Sequence, residues 1–422
     1  MRYTTRIIVP PRIRRSGAPG SPGGAYGPQV LGVRKTLGFG DRLGLAAAGH
    51  VAFASRHPEF APILAQISAG EMSMLGKLPG DVVGAASRAV GAARFRQPWG
   101  ADADRLRDAQ EVAGAAGAGF TYFTLDASEF VRANVDQMSD TQLASAVDTL
   151  VAEGELPENW FEPYLDRTID LSDGHRLQIS LAPLSRAALR YASAVQHCAR
   201  LSAATARANQ GRPFELEVAL DAAEAVASPL EHLFVGLELE ARGVRLTSLA
   251  LRFVDETAPD AIASTLLEHA AVADFCGPYK MCFHDPAEGS AILPLLGRTC
   301  KDAFHVKVSA VSYLEALRVI MEVDPEALQE IASFGLNQAA EPDVLDEPEA
   351  RKRLAEASPA VLTTGRTQDG QPFKQVITEQ LDRHAELYAE RLINGYERLL
   401  APVFRGLMPD VAKRLRPTDI IR

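Results

Sequence analysis

Cysteine is scarce in this chain: Cys198, Cys276, Cys282 and Cys300 are the only four in 422 residues. They form no CxxC pair and no Cys/His zinc spacing. That excludes a disulfide framework and points to reduced thiols in a cytoplasmic protein. No run of about 18 apolar residues occurs, so no membrane span is expected. Basic charge is in deficit, with 44 Lys+Arg against 54 Asp+Glu and a net charge of -10. A nucleic-acid partner needs the opposite balance and is not expected. A small sugar or sugar acid needs only a local cation. The chain also has no GxGxxG after its first apolar run, which argues against an open dinucleotide-binding sheet.

Glycine, proline and arginine are concentrated at the start. Arg2, Arg6, Arg12, Arg14 and Arg15 precede the Gly/Pro-rich stretch Ser16–Gly24, and no apolar segment follows. Residues 1–30 read as a flexible arm rather than a signal peptide. From residue 31 to 325, eight short runs alternate with helical stretches. They are Arg34–Gly40, Ala61–Ser68, Pro98–Asp104, Gly119–Asp126, Phe214–Asp221, Thr247–Phe253, Tyr279–His284 and Ala303–Ser309. Eight strand–helix units predict a (β/α)8 TIM barrel. Residues 326–422 read as a helical C-terminal appendage. It has an acidic loop, Glu341–Glu347, and an amphipathic helix near 375–402 that packs on the barrel wall or on a partner subunit. A homo-oligomer is therefore compatible with the sequence.

In such a barrel the C-terminal strand ends converge on one pocket. Here they carry Asp41 and Arg42, Ser68 and Glu71, Asp102 and Asp104, Asp126, Asp221 and Glu224, Arg252, His284, and His305 with Lys307. An Asp after a strand is often only the cap of the next helix, and Asp126 alone reads equally well that way. That reading weakens when all eight ends agree, because capping does not supply two His, an Arg and a Lys. Imidazole beside carboxylate suits a divalent metal such as Zn, Ni or Mn, with Asp221, Glu224, His284 and His305 as ligands. The plainer reading makes His284 and His305 hydrogen-bonding residues of the pocket. His232, one turn into the helix after Ser228-Pro229, would support the site from behind.

Six segments, taken in order, resemble the tagaturonate/fructuronate epimerase family. They are Gly38–Gly44, Gly100–Asp104, Gly119–Asp126, Ser228–Phe234, Leu249–Phe253 and Phe304–Lys307, the last continued by Ser312–Ala316. The resemblance covers about residues 33–335. It implies a metal-dependent barrel that inverts C4 of a 2-keto hexuronate. It also implies that Glu71 and Asp104 are the catalytic acid/base pair, and that Asp221, Glu224 and His284 surround the metal. His305 and Lys307 match the family's FHVK motif. Asp41, Arg42, Ser68, Asp102, Asp126, Arg252 and Lys307 are left as substrate-binding positions. The hydrogen on C4 is β to the C2 carbonyl and not acidic, so a retro-aldol/aldol route is expected. Another metal-dependent ketose isomerase, 3-epimerase or aldolase, and a non-catalytic sugar-acid-binding barrel, stay open.

The chain departs from the family pattern at Asp221–Ala225, Asp285–Glu288 and Val308–Val311, and at Pro359–Arg366, where a family segment containing a His is absent. Asp285 and Glu288 replace small polar residues and a Lys. If they face the mouth, they tilt tolerance toward a neutral ketose.

Overall fold

The computed structural model describes residues 26–414 apart from 166, 224 and 338–341. Eight parallel strands close into one barrel. They are β1 (Thr36–Gly40), β2 (Ala61–Ser68), β3 (Gly100–Leu106), β4 (Tyr122–Asp126), β5 (Glu215–Ala219), β6 (Ser248–Ala250), β7 (Lys280–His284) and β8 (Phe304–Val308). Spatial order follows chain order, and β8 returns to β1 with Thr36 opposite His305 and Gly38 opposite Lys307. Each expected run contains a strand, but β3 is displaced two residues to Gly100–Leu106, β5 ends at Ala219 and leaves Asp221 beyond its end, and the short β6 leaves Arg252 beyond its own.

The strands are buried on both faces. Residues such as Leu216, Val218, Leu249 and Val306 pack into the main core with the surrounding helices, while the alternate positions are polar and fill the barrel interior. Gly38 and Gly40 allow the β1–β8 seam to close. A side chain at 38 would collide with the Gln66 carboxamide, and a Cβ at 40 would lie 2.7 Å from Ser309 Cα. The floor is plugged by the approach to β1. The Leu31 amide donates to Glu215 Oε2 at 2.9 Å, the Gly32 amide donates to Oε1, and Leu31 packs on Ile63 and Tyr122.

Among the described residues four α-helices follow the barrel, Pro325–Leu336, Pro348–Thr364, Phe373–Arg383 and Ala385–Arg414, with a 3-10 turn at Pro342–Leu345. The helix expected near 375–402 is thus two, parted at His384. The last packs on barrel-wall helices Ala47–Arg56, Leu293–Thr299 and Ala310–Val323. Tyr396 inserts there, 5.0 Å from the Phe39 ring and hydrogen-bonded to His50. Residues 1–25 of the expected arm, and Glu341 of the acidic loop, lie outside the described residues. Among the described residues no helix is long and apolar enough to cross a membrane. All four cysteines are free and buried.

Candidate active site

The barrel interior is a stack of polar layers. Lowest lies Lys280, fully buried, donating to Thr36 Oγ1 at 3.0 Å with its ammonium 5.3 Å from the Tyr122 ring centroid. Burial lowers its pKa. His305 is in this layer, with Nδ1 2.9 Å from Thr36 Oγ1 and Nε2 buried without a partner. Desolvation pulls its pKa well below the usual value.

The next layer is organised by Lys307. Its ammonium is 2.8 Å from Asp102 Oδ2, 2.9 Å from Asp104 Oδ1, 2.8 Å from Glu217 Oε1 and 2.7 Å from Thr124 Oγ1. Burial disfavours its charge, but the three carboxylates hold its pKa well above the usual value. One cation cannot satisfy three buried anions equally. Burial pushes Asp102 up to about 7 despite Lys307. Glu217 goes the other way, because Lys307 and His284 outweigh its burial and hold it well below the carboxylate range.

The mouth lies above. His284 presents Nε2 to Glu217 Oε1 at 3.0 Å and Nδ1 to Asp221 Oδ2 at 2.8 Å. Burial opposes a charge on this ring, yet Asp221 overrides it and raises the pKa well above 6.5. The ring is thus charged and bonded through both nitrogens, and Nε2 would serve a cation only after losing its proton, with the Nδ1 proton kept by Asp221. Arg105 Nη2 reaches both Asp221 oxygens, at 3.2 and 3.3 Å, and lies 2.8 Å from His284 Nδ1. Arg105 has φ +51°, in the left-handed region, where the β3–β4 register shifts between Ala103 and Leu106. Such a bulge re-aims a side chain. A cavity of about 210 Å³ opens beside this group, lined by Asp221, Arg252, Glu256, Cys282, His284 and Pro286 among others.

On the β1–β2 side, Glu71 closes the capping box of helix Ala69–Leu75, accepting from Ser68 N at 3.2 Å and Ser68 Oγ at 3.0 Å. Its other oxygen receives Arg42 Nε at 2.5 Å. Ser68 pairs in register with Asp104, so the strand ends carrying the two expected catalytic carboxylates are adjacent.

Among the described residues, two groups of donors meet the spacing of a metal site. Asp104, Glu217 and His284 form one at the mouth. Glu217, Cys282 and His305 form the other, one layer down and fully buried. The deeper set suits a cation poorly, because burial raises the Cys282 thiol to about 12 and Lys280 lies in that layer. Of the four expected ligands, His284 stands in the mouth group, and Asp221 grips its far nitrogen. His305 belongs to the lower layer, and Glu224 lies outside the described residues. Glu217 was not anticipated, although Glu215 and Glu217 alternate with apolar neighbours along one strand, which places both inside the barrel. Arg105 gave no sequence signal, because its direction depends on the bulge.

Other expected positions are engaged locally. Asp41 accepts from the Gly44 and Ala46 amides at 2.7 and 2.8 Å. Asp126 caps Ser128 N at 3.0 Å and faces Arg107 and Arg105. Asp285 turns to Ser309 N at 2.6 Å, and Glu288 pairs with Arg351 and Arg398. His232 sits behind the wall, bonded to His269 and Tyr279 at 3.0 and 2.9 Å.

Comparison with known proteins fits this architecture. A tagaturonate epimerase (UxaE) family model matches residues 25–345. The tagaturonate/fructuronate epimerase of Thermotoga maritima is 28% identical over 398 residues, covering 88% of this chain and 81% of the relative. The glycerol-bound crystal structure of the fructuronate-tagaturonate epimerase from Cohnella laeviribosi aligns with a TM-score of 0.82 at 26% identity, covering 90% of this chain and 83% of that one. Its native form gives 0.81 at the same identity and coverage. A family match spanning most of the chain, on a closed barrel of the same architecture, establishes that this protein belongs to the tagaturonate epimerase family and is an epimerase of the isomerase class.

Proposed function

We propose that the enzyme interconverts tagaturonate and fructuronate, the C4 epimers of a 2-keto hexuronate, at the C-terminal mouth of its barrel. The observation that carries this reading is the convergence of Asp104, Glu217 and His284, from three strands, with their ligand atoms within 4.8 Å of one another. The Thermotoga and Cohnella relatives are named for this pair of sugars.

Glu217 and, once deprotonated at Nε2, His284 would hold a divalent ion of the Zn, Ni or Mn kind, with Asp104 beside them for the proton transfers. Asp102, Asp104, Asp126, Glu217 and Asp221 outnumber the permanent cations beside them, Lys307, Arg105 and Arg107. Such an ion, when bound, supplies positive charge for an oxygen that becomes anionic as the C3–C4 bond opens.

The chain's own residues do the rest. One of Glu71 and Asp104 takes the proton from the C4 hydroxyl. The C3–C4 electron pair moves onto the C1–C3 fragment as an enediolate, and C4 becomes an aldehyde carbon. The aldehyde turns over, the bond re-forms on its other face, and the second carboxyl group returns the proton. Lys307 holds Asp104 and steadies negative charge from below. Arg252, in the cavity wall, would receive the substrate carboxylate, as a guanidinium does with paired hydrogen bonds, and Arg105 would add positive charge at the mouth while held by Asp221. The test is incubation of the metal-supplemented protein with tagaturonate. Fructuronate should form, and Glu71→Gln and Asp104→Asn should each abolish it. An unchanged rate in either variant would remove that residue from the pair.

A further inference from the structure

Helix Pro348–Thr364 begins past residue 345, where the family match ends. Arg351, Ala355 and Ser358 recur at four- and three-residue spacing and share one helical face. That face meets the mouth. Arg351 Nη1 is 3.2 Å from Glu288 Oε2 in the loop after β7. Arg42 Nη1, from the loop after β1, donates to Ala355 O at 3.0 Å and to Ser358 Oγ at 2.5 Å. Ser358 is fully buried, and its hydroxyl donates to the same carbonyl at 2.6 Å.

The helix carries a proline in its interior, Pro359. In an uninterrupted helix the amide of residue 359 donates to the carbonyl of residue 355. Proline has no N–H, so the Ala355 carbonyl is left for other donors. Arg42 and Ser358 take it. The opposite edge of the Arg42 guanidinium is the one bound to Glu71. A guanidinium is a rigid planar fork, so fixing one edge fixes the other.

We propose that Ser358 and Pro359 are positioning residues of the active site. Pro359 frees the Ala355 carbonyl, Ser358 adds its hydroxyl, and together they set Arg42 so that it orients Glu71. The proposal rests on Glu71 being one of the two acid/base groups.

The test is steady-state kinetics and thermal melting of the full-length enzyme carrying Pro359→Ala or Ser358→Ala, with Glu71→Gln alongside. Pro359→Ala gives the Ala355 carbonyl an intrahelical donor that competes with Arg42, and it replaces a poor helix former by the best. The expected signature is an unchanged or higher melting midpoint, with kcat lowered about three- to tenfold, the net worth of one ordinary hydrogen bond. KM should stay within about twofold, because no substrate contact is removed. Ser358→Ala should give the same split between kcat and KM. If Glu71→Gln is inactive while both helix variants keep full kcat, the positioning role is wrong and the acid/base reading stands. If Glu71→Gln keeps full activity, that reading fails and the positioning role falls with it. A lowered kcat accompanied by a lowered midpoint in both helix variants makes the pair structural and overturns the proposal.

Discussion

Lys307→Met replaces the interior cation by an apolar chain of similar length and leaves Asp102, Asp104 and Glu217 facing one another. The native ammonium is within 2.9 Å of an oxygen of each and is 2% exposed. Breaking a buried ion pair by removing one partner costs about 3–5 kcal/mol. That is a large part of the roughly 5–15 kcal/mol that holds a domain together. The loss must depend on pH. Asp102 is already raised to about 7 in the fold, against 3.8 unfolded, so the native state binds that proton more tightly. Its contribution is present at low pH and is lost as pH rises through about 7. Removing Lys307 takes away the cation that opposes burial at Asp102 and that holds Glu217 low, so both of these pKa values rise and the fall with pH steepens. We expect the variant to lose about 3–5 kcal/mol at pH 8 and roughly half of that or less at pH 5, where protons replace the missing cation. Urea unfolding followed by circular dichroism at both pH values measures the difference. Adding Glu217→Gln should recover part of the loss at pH 8. Equal losses at the two pH values, or no loss at either, would refute the three-carboxylate cluster as described.

Three further outcomes are expected. His284→Ala and Glu217→Gln should each lower bound metal and activity together. Asp221→Asn, acting through His284 Nδ1, should weaken metal affinity by about 10- to 100-fold. Metal analysis after dialysis checks this, and full occupancy in His284→Ala would remove that ligand. Neutralising Asp285 and Glu288 should leave the kcat/KM ratio for tagaturonate over tagatose unchanged, because both acids are engaged with Ser309, Arg351 and Arg398. A shifted ratio would place them in the pocket. Burial depresses His50 and His269 to about 4. The unfolded rings titrate near 6.5, so stability is retained above that pH and lost as pH falls toward 4, by about 3 kcal/mol per site. His269→Gln should flatten that fall in melts between pH 7 and 4.5, and an unaltered slope would contradict it.

The barrel was legible because a parallel sheet covered by helices reads as apolar runs at regular spacing, and all eight runs became strands. The site was legible at the level of which ends converge, and less so at the level of which atoms meet. Strand-end position favoured Asp221, whereas interior-facing alternation is what brings Glu217 to His284 and Lys307. Asp41 and Asp126 look alike in sequence to ligand-binding acids, yet their oxygens meet amides one turn on. Local capping competes for the residue types that bind substrates. Arg105 could not be read, because the reach of its side chain depends on a left-handed residue inside a bulge. The docking of Ser358 on Arg42 joins positions 316 residues apart and carries no local pattern.

The most direct measurement is conversion of tagaturonate in D2O by the metal-supplemented enzyme, followed by proton NMR of the product. Cleavage and re-formation of C3–C4 keeps the original hydrogen on C4 throughout. Fructuronate should therefore appear with protium at C4, and Asp104→Asn should stop its formation. Deuterium at C4 in the product, or no fructuronate with any of Zn, Ni or Mn, would contradict a retro-aldol epimerase at this mouth.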